Sequence, residues 1–148
     1  MEEFKSENGE IVGIAKKRNR VLAFLIDFFI FWLVGMVIGI FFGTPDKEEL
    51  GFNLNGLPAL GMFLFGFFLW PISEGVFGKT IGKRFLNLEV VSNNYESIGI
   101  GQAFVRFFLG FIDYIFLIGL IIASTNKQNK RIGDMVANTV VVKRSKNG

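Results

Sequence analysis

Cysteine and histidine are both absent from this 148-residue chain. The first absence excludes disulfides, thiolate nucleophiles and cysteine-based zinc sites. The second excludes imidazole general bases and the commonest metal ligand. Proline is scarce, at 3 residues, and charged residues make up only 20% of the chain. A soluble domain with 51% hydrophobic residues and 19 phenylalanines would need a larger polar shell than that. Also missing are a phosphate-binding glycine loop, a dinucleotide fingerprint and any metal-ligand spacing. No cofactor, no metal and no catalytic residue is therefore expected, and the chain does not read as an enzyme.

What is present is apolar sequence in long runs, with a mean hydropathy of +0.45. The first run, residues 20–42, would make about 34 Å of helix, enough to cross a bilayer with some tilt. No small-residue cleavage site follows it, so it reads as a retained helix and not a signal peptide. A second span is expected over residues 57–73, with Pro58 in its first turn, Pro71 near its end and Trp70 as an interfacial anchor. A third apolar run covers residues 102–124. Gly35, Gly39 and Gly43 form G-x-x-x-G steps that let a neighbouring backbone approach closely. The length bounds one domain. Residues 1–16 are expected as a polar cytoplasmic tail, within a solvated stretch reaching residue 19. The membrane domain would occupy 17–143, and 144–148 would be a basic tail.

The net charge of +3 sits beside the apolar runs and not along a face with interleaved aromatics. It therefore signals membrane topology and not nucleic acid. Basic residues flank every connection except the acidic loop 43–56, which places the amino end and residues 75–101 in the cytoplasm. A single crossing by the third run would put the basic carboxyl end outside, against that bias. It would also separate two candidate strands, Leu86–Val91 and Asn138–Lys143. The fold expected is thus an α-helical integral membrane protein: two clear transmembrane helices and a third apolar helical segment, re-entrant or interfacial. A small two-stranded β element would lie at the cytoplasmic surface.

Polar residues inside these runs are the candidate site. Asp27 lies within the first span, where a carboxylate costs about 2.5–3.5 kcal/mol on insertion scales. Arg20 shares its helix face but sits about 10.5 Å away along the axis, beyond the spacing at which helix neighbours meet. Arg20 is expected to snorkel toward headgroups. The same R-x5-I-D spacing returns at Arg106 and Asp113, so Arg106 could pair with Asp27, or Arg20 with Asp113. One reading is a buried ion-pair network that holds the helices. The other is a cation or proton site on Asp27 and Asp113, with Glu74 as a third acid. Asp134 either caps a short surface helix or meets Arg20, Lys83 or Arg84. Lys83 and Arg84 suit anionic lipid headgroups and serve equally as a topology signal.

Several stretches, in order, resemble the RDD family of small bacterial membrane proteins, named for one arginine and two aspartates. Arg20-Val-Leu-Ala23-Phe-Leu-Ile26-Asp27 is similar to its opening helix. Gly78-Lys-Thr80-Ile-Gly82-Lys83-Arg84, followed by Leu88-Glu-Val90-Val91, resembles its T-x-G-K-R-x-x-x-L-x-V-V stretch. Ser97, Ala103, Arg106 and Asp113 fall where the family tends to have Ser, Ala, Arg and Asp. Arg131-Ile-Gly133-Asp134-Met-Val-Ala137-Asn138-Thr139-Val140-Val141 is similar to its closing motif. Gly133 stands where the family often has His, and Asn138 where it often has Gly.

The resemblance implies a multispan protein of the bacterial inner membrane, in some members suspected of moving small solutes or cations, including cation/proton exchange. A non-transporting accessory subunit is the alternative. Intramembrane aspartyl proteolysis fits poorly, because Arg131-Ile-Gly133-Asp134 lacks that class's G-x-G-D pattern. The expected partners are the lipid bilayer and either further copies of the chain or a larger membrane protein.

Overall fold

Helix α1 (Lys17–Phe42) inverts the burial pattern of a water-soluble helix. Its buried residues are Arg20, Ala23, Asp27 and Gly39, while Leu25, Phe28, Phe29 and Phe41 are exposed. Such an arrangement is stable only where the surrounding medium is as apolar as the side chains facing it. The computed structural model describes residues 3–5, 11–45, 51–116 and 128–144, with side chains over 12–45, 51–110 and 128–144.

A short hairpin, β3 (Thr44–Pro45) and β4 (Phe52–Asn53), follows α1 and leads to helix α2 (Leu57–Phe77). Both α1 and α2 are long and apolar enough to cross a membrane. The G-x-x-x-G glycines serve packing within the chain. A Cβ on Gly39 would lie 2.8 Å from the Phe52 ring, and one on Gly35 would lie 3.2 Å from the Met62 methyl. Helix α2 runs past its expected end. Pro71 does not stop it but sits inside a π turn over Phe68–Ile72. Lacking an N–H, proline cannot make the ordinary helical bond, and the wider turn accommodates it without a break. The helix ends at Gly78, whose φ of 68° is left-handed.

A one-turn helix, α3 (Ile81–Phe85), leads to strand β5 (Leu88–Ser92). Helix α4 (Ile100–Phe116) then folds back along the end of α2, and α5 (Ile132–Val136) packs on α4 before strand β6 (Thr139–Arg144). The expected pairing of the two strands is present, antiparallel, with Val90 opposite Val141.

The sheet has four strands and not two, in the order β1-β2-β6-β5, with β1 at Glu3–Lys5 and β2 at Ile11–Ile14. The solvated tail expected for residues 1–19 therefore contributes an inner strand. Val12, Gly13 and Ile14 cover the edge of β6 that a two-stranded element would leave unpaired. One face of the sheet, through Leu88, Val90 and Val141, packs with Ala15, Ala23 and Ala103; the other clusters Val12, Val91, Val140 and Val142. Asn87 and Asn138 enter β5 and β6 at φ 54° and 53°, a region that Asn and Gly tolerate. That explains why Asn138 can stand where the family often has glycine.

Strands β5 and β6 flank the third apolar run and share a sheet with β2. The chain thus leaves and returns at the same end of the α1–α2 pair. The residues joining α4 to Gln128 lie outside those described.

Candidate functional site

The charged side chains converge where α1, α2, α3, α4 and α5 meet beneath the sheet. Asp27, 2% exposed, is clasped by the short helix α3. Its Oδ2 accepts from the Thr80 hydroxyl at 2.5 Å, and its Oδ1 from the Gly82 N–H at 2.7 Å. Thr80 also caps α3, accepting from the Lys83 N–H at 3.4 Å. Glycine is required at 82 because a Cβ there would run into the Ala23 carbonyl and lie 3.0 Å from the Asp27 carboxyl carbon. The Asp27 charge is thus offset by donors at a helix N-terminus. Neither Arg20 nor Arg106 pairs with it, contrary to the pairing expected from the repeated R-x5-I-D spacing.

The arginines meet at Asp134 instead. Arg20 is 7% exposed and so does not snorkel; it donates to Asp134 Oδ2 at 2.5 Å and to the Asn129 carbonyl at 2.6 Å. Arg106 donates to Asp134 Oδ1, to Glu74 Oε2 at 3.1 Å and to the Thr139 hydroxyl at 2.7 Å. The Arg131 N–H adds a bond to Asp134 Oδ2 at 3.1 Å. Burial by itself would raise the Asp134 pKa. The two guanidiniums, with that backbone bond, more than offset it and hold the carboxyl well below the usual carboxylate range.

Lys83 pairs with Glu74 Oε1, so it points inward and not toward lipid headgroups, whereas Arg84 is exposed. Burial, then the nearby Arg106 and Arg20 charges, push the Lys83 ammonium well below its ordinary pKa against the pull of Asp27 and Asp134. The result is one chain of charges, Arg20–Asp134–Arg106–Glu74–Lys83, with Asp27 alongside. The Asp113 side chain lies outside those described; its backbone continues α4.

Residues not named as site candidates complete the site. Thr80 and Thr139 stood only within the motifs that resemble the family, and Asn129 carried no signal. Gly133 lets α5 approach α4, since a Cβ there would lie 3.2 Å from the Arg106 carbonyl oxygen. Trp70 does not act as an interfacial anchor. Its ring packs against Phe31 and Phe107, and its indole Nε1 is buried without a hydrogen-bond partner among the described residues.

Within this cluster lies a cavity of about 360 Å³, lined by the charged network together with Phe24, Phe28, Trp70, Ala103, Phe107 and Gly110. Ala103, Arg106, Phe107 and Gly110 share one stripe of α4, at the spacing of a single helix face. Among the described residues no group of three or more His, Cys, Asp or Glu is arranged to hold a metal ion. Every oxygen of Asp27, Glu74 and Asp134 already accepts from a donor.

The sequence profile of the RDD family matches residues 14–138. An uncharacterized protein of Haemophilus influenzae is 29% identical over 122 residues, covering 78% of this chain and 76% of its own. No solved structure matches the chain.

Proposed function

This chain belongs to the RDD family, and from that premise we propose that it is a solute-binding membrane domain of a transport pathway in the bacterial inner membrane. The observation that carries the reading is the cavity of about 360 Å³ inside the ion-pair cluster. A network that served only to hold helices would gain most by closing on its own charges, because low-dielectric contact strengthens each pair. This one surrounds a space within the range of small-molecule sites. Asp27 acts in this reading as the clasp that holds α3, and through it Lys83, against α1. It is not the ligand-bearing carboxylate of a cation exchanger.

The sheet end is assigned to the cytoplasm, because exposed Lys16, Arg18 and Arg84 gather there. The chain before helix α4 and the chain after Gln128 then both lie on that side. A reporter fused after Gly148 that proved active only outside the cytoplasm would overturn this orientation. One pair of short spans encloses little by itself, so the pathway is completed by further copies of the chain or by a larger membrane partner.

Flux into proteoliposomes tests the function. A Cβ on Gly110 meets nothing within 4 Å among the described residues, so Gly110→Phe starts from open space at the cavity wall and carries a ring into the cavity. Solute flux in the unmodified protein, lost in Gly110→Phe with the fold intact, is the expected result. Flux unaffected by the filled cavity would refute the assignment. An accessory, non-transporting role is favoured by the pairing of every carboxylate oxygen with a donor. It predicts no flux and stable co-purification with a larger membrane protein.

A further inference from the structure

Several donors at the cavity have no acceptor among the described residues. Each of the six carboxylate oxygens of Asp27, Glu74 and Asp134 already accepts from a donor, so a cation entering here would meet carboxylates whose charge lysine, guanidinium, hydroxyl and helix N–H groups already offset. Donors, by contrast, are in excess. The Lys83 ammonium carries three N–H groups and, among the described residues, has Glu74 as its one side-chain acceptor. Arg106 engages Glu74, Asp134 and Thr139 through Nε and one terminal nitrogen, leaving the other terminal nitrogen without an acceptor among the described residues. The Trp70 indole Nε1 also has no acceptor among the described residues, but it is itself buried, so Trp70 serves the cavity as wall and not as donor. Buried donors without partners are costly, and what would satisfy them is an acceptor.

We propose that the cavity binds an anionic oxygen group, a carboxylate or phosphate, seated on the spare donors of Lys83 and Arg106. This rests on the reading of the cavity as a solute site and names its ligand class. The walls away from the charges are aromatic, and Phe28 is half exposed on the outer surface of α1. An anion carried on an apolar chain could therefore lie with its head inside and its chain along Phe28. A free anion would use the head site alone. An arriving negative charge would also restore the ammonium that burial disfavours at Lys83.

The test uses the full chain in non-ionic detergent with Trp32→Phe, which leaves Trp70 as the sole indole. The probe is a long-chain carboxylic acid brominated in its chain, a quencher of indole fluorescence, compared with its methyl ester. Saturable quenching is expected for the acid, with affinity for the ester about tenfold weaker or less. Lys83→Met should weaken the acid by a similar factor and leave the ester unchanged; Lys83→Arg should restore acid binding. Displacement of the acid by millimolar inorganic phosphate assigns a soluble anion, and resistance to phosphate assigns an amphiphile; each supports the shared chemistry. Equal saturable quenching by acid and ester overturns the anion assignment while leaving a solute cavity. Absence of saturable quenching by either probe overturns both.

Discussion

Replacing Asp27 by Asn separates a clasp from an ion-carrying carboxylate. The two Asp27 oxygens accept from Thr80 and Gly82, both donors. An asparagine can keep its carbonyl on the Gly82 N–H, because a backbone amide cannot reverse its role. Its NH2 group must then face Thr80, whose hydroxyl can turn to accept. Two charge-assisted bonds, each about 1.5–3 kcal/mol, become two neutral ones of about 0.5–1.5 kcal/mol. Part of that loss is returned by removing a charge from an apolar run. The net cost expected is about 1–3 kcal/mol. Thr80→Val removes the hydroxyl at nearly constant shape. If Asp27 and Thr80 act as a pair, the two substitutions together cost less than their sum. The coupling expected is about 1–2 kcal/mol, above the ~0.6 kcal/mol average for polar pairs between membrane helices because one partner is charged. Reversible unfolding of the four proteins in non-ionic detergent, followed by tryptophan fluorescence, measures it. Additive costs, or an Asp27→Asn protein as stable as the original, would refute the clasp and return Asp27 to the ion-carrying role.

Gly82→Ala attacks the same contact sterically. Its Cβ has no room beside the Ala23 carbonyl, so α3 must move away from α1 at a cost of about 1–3 kcal/mol, read as a lowered Tm. A Tm equal to that of the parent would show that α3 is not held there. Lys83 makes stability depend on pH. Its folded pKa is lowered, so above that pKa the unfolded chain holds a proton that the folded chain does not. Stability should therefore rise with pH from the folded pKa up to the unfolded value near ~10.4, and Lys83→Met should abolish that rise. A pH profile identical in the two proteins would count against a buried, destabilised ammonium.

The two helices long and apolar enough to cross a membrane were legible in the sequence, because their apolar runs reach about twenty residues. So was the pairing of β5 with β6, since alternation along Leu86–Val91 demands a partner and Asn138–Lys143 offers one. The strand at Ile11–Ile14 was hidden because it is short and embedded in charge, and only its position beside β6 makes it a strand. The extension of α2 through Pro71 was also hidden. A proline reads as a stop unless a π turn can absorb it, and that depends on what packs around it.

The sequence by itself determined which residues would be expensive to bury: Arg20, Asp27, Glu74, Arg106 and Asp134 stand in or beside apolar runs whatever the fold. Helix periodicity further established that Arg20 and Asp27 share a face yet cannot reach each other. Only the tertiary structure decided who neutralises whom. Arg20 and Asp134 are 114 positions apart, and Thr80 and Asp27 are 53 apart, so their meeting depends on which helix ends the sheet draws together. Like-spaced motifs fix a direction along one helix. The partner across the gap is chosen by packing, which here brought α3 to Asp27 and α5 to the two arginines.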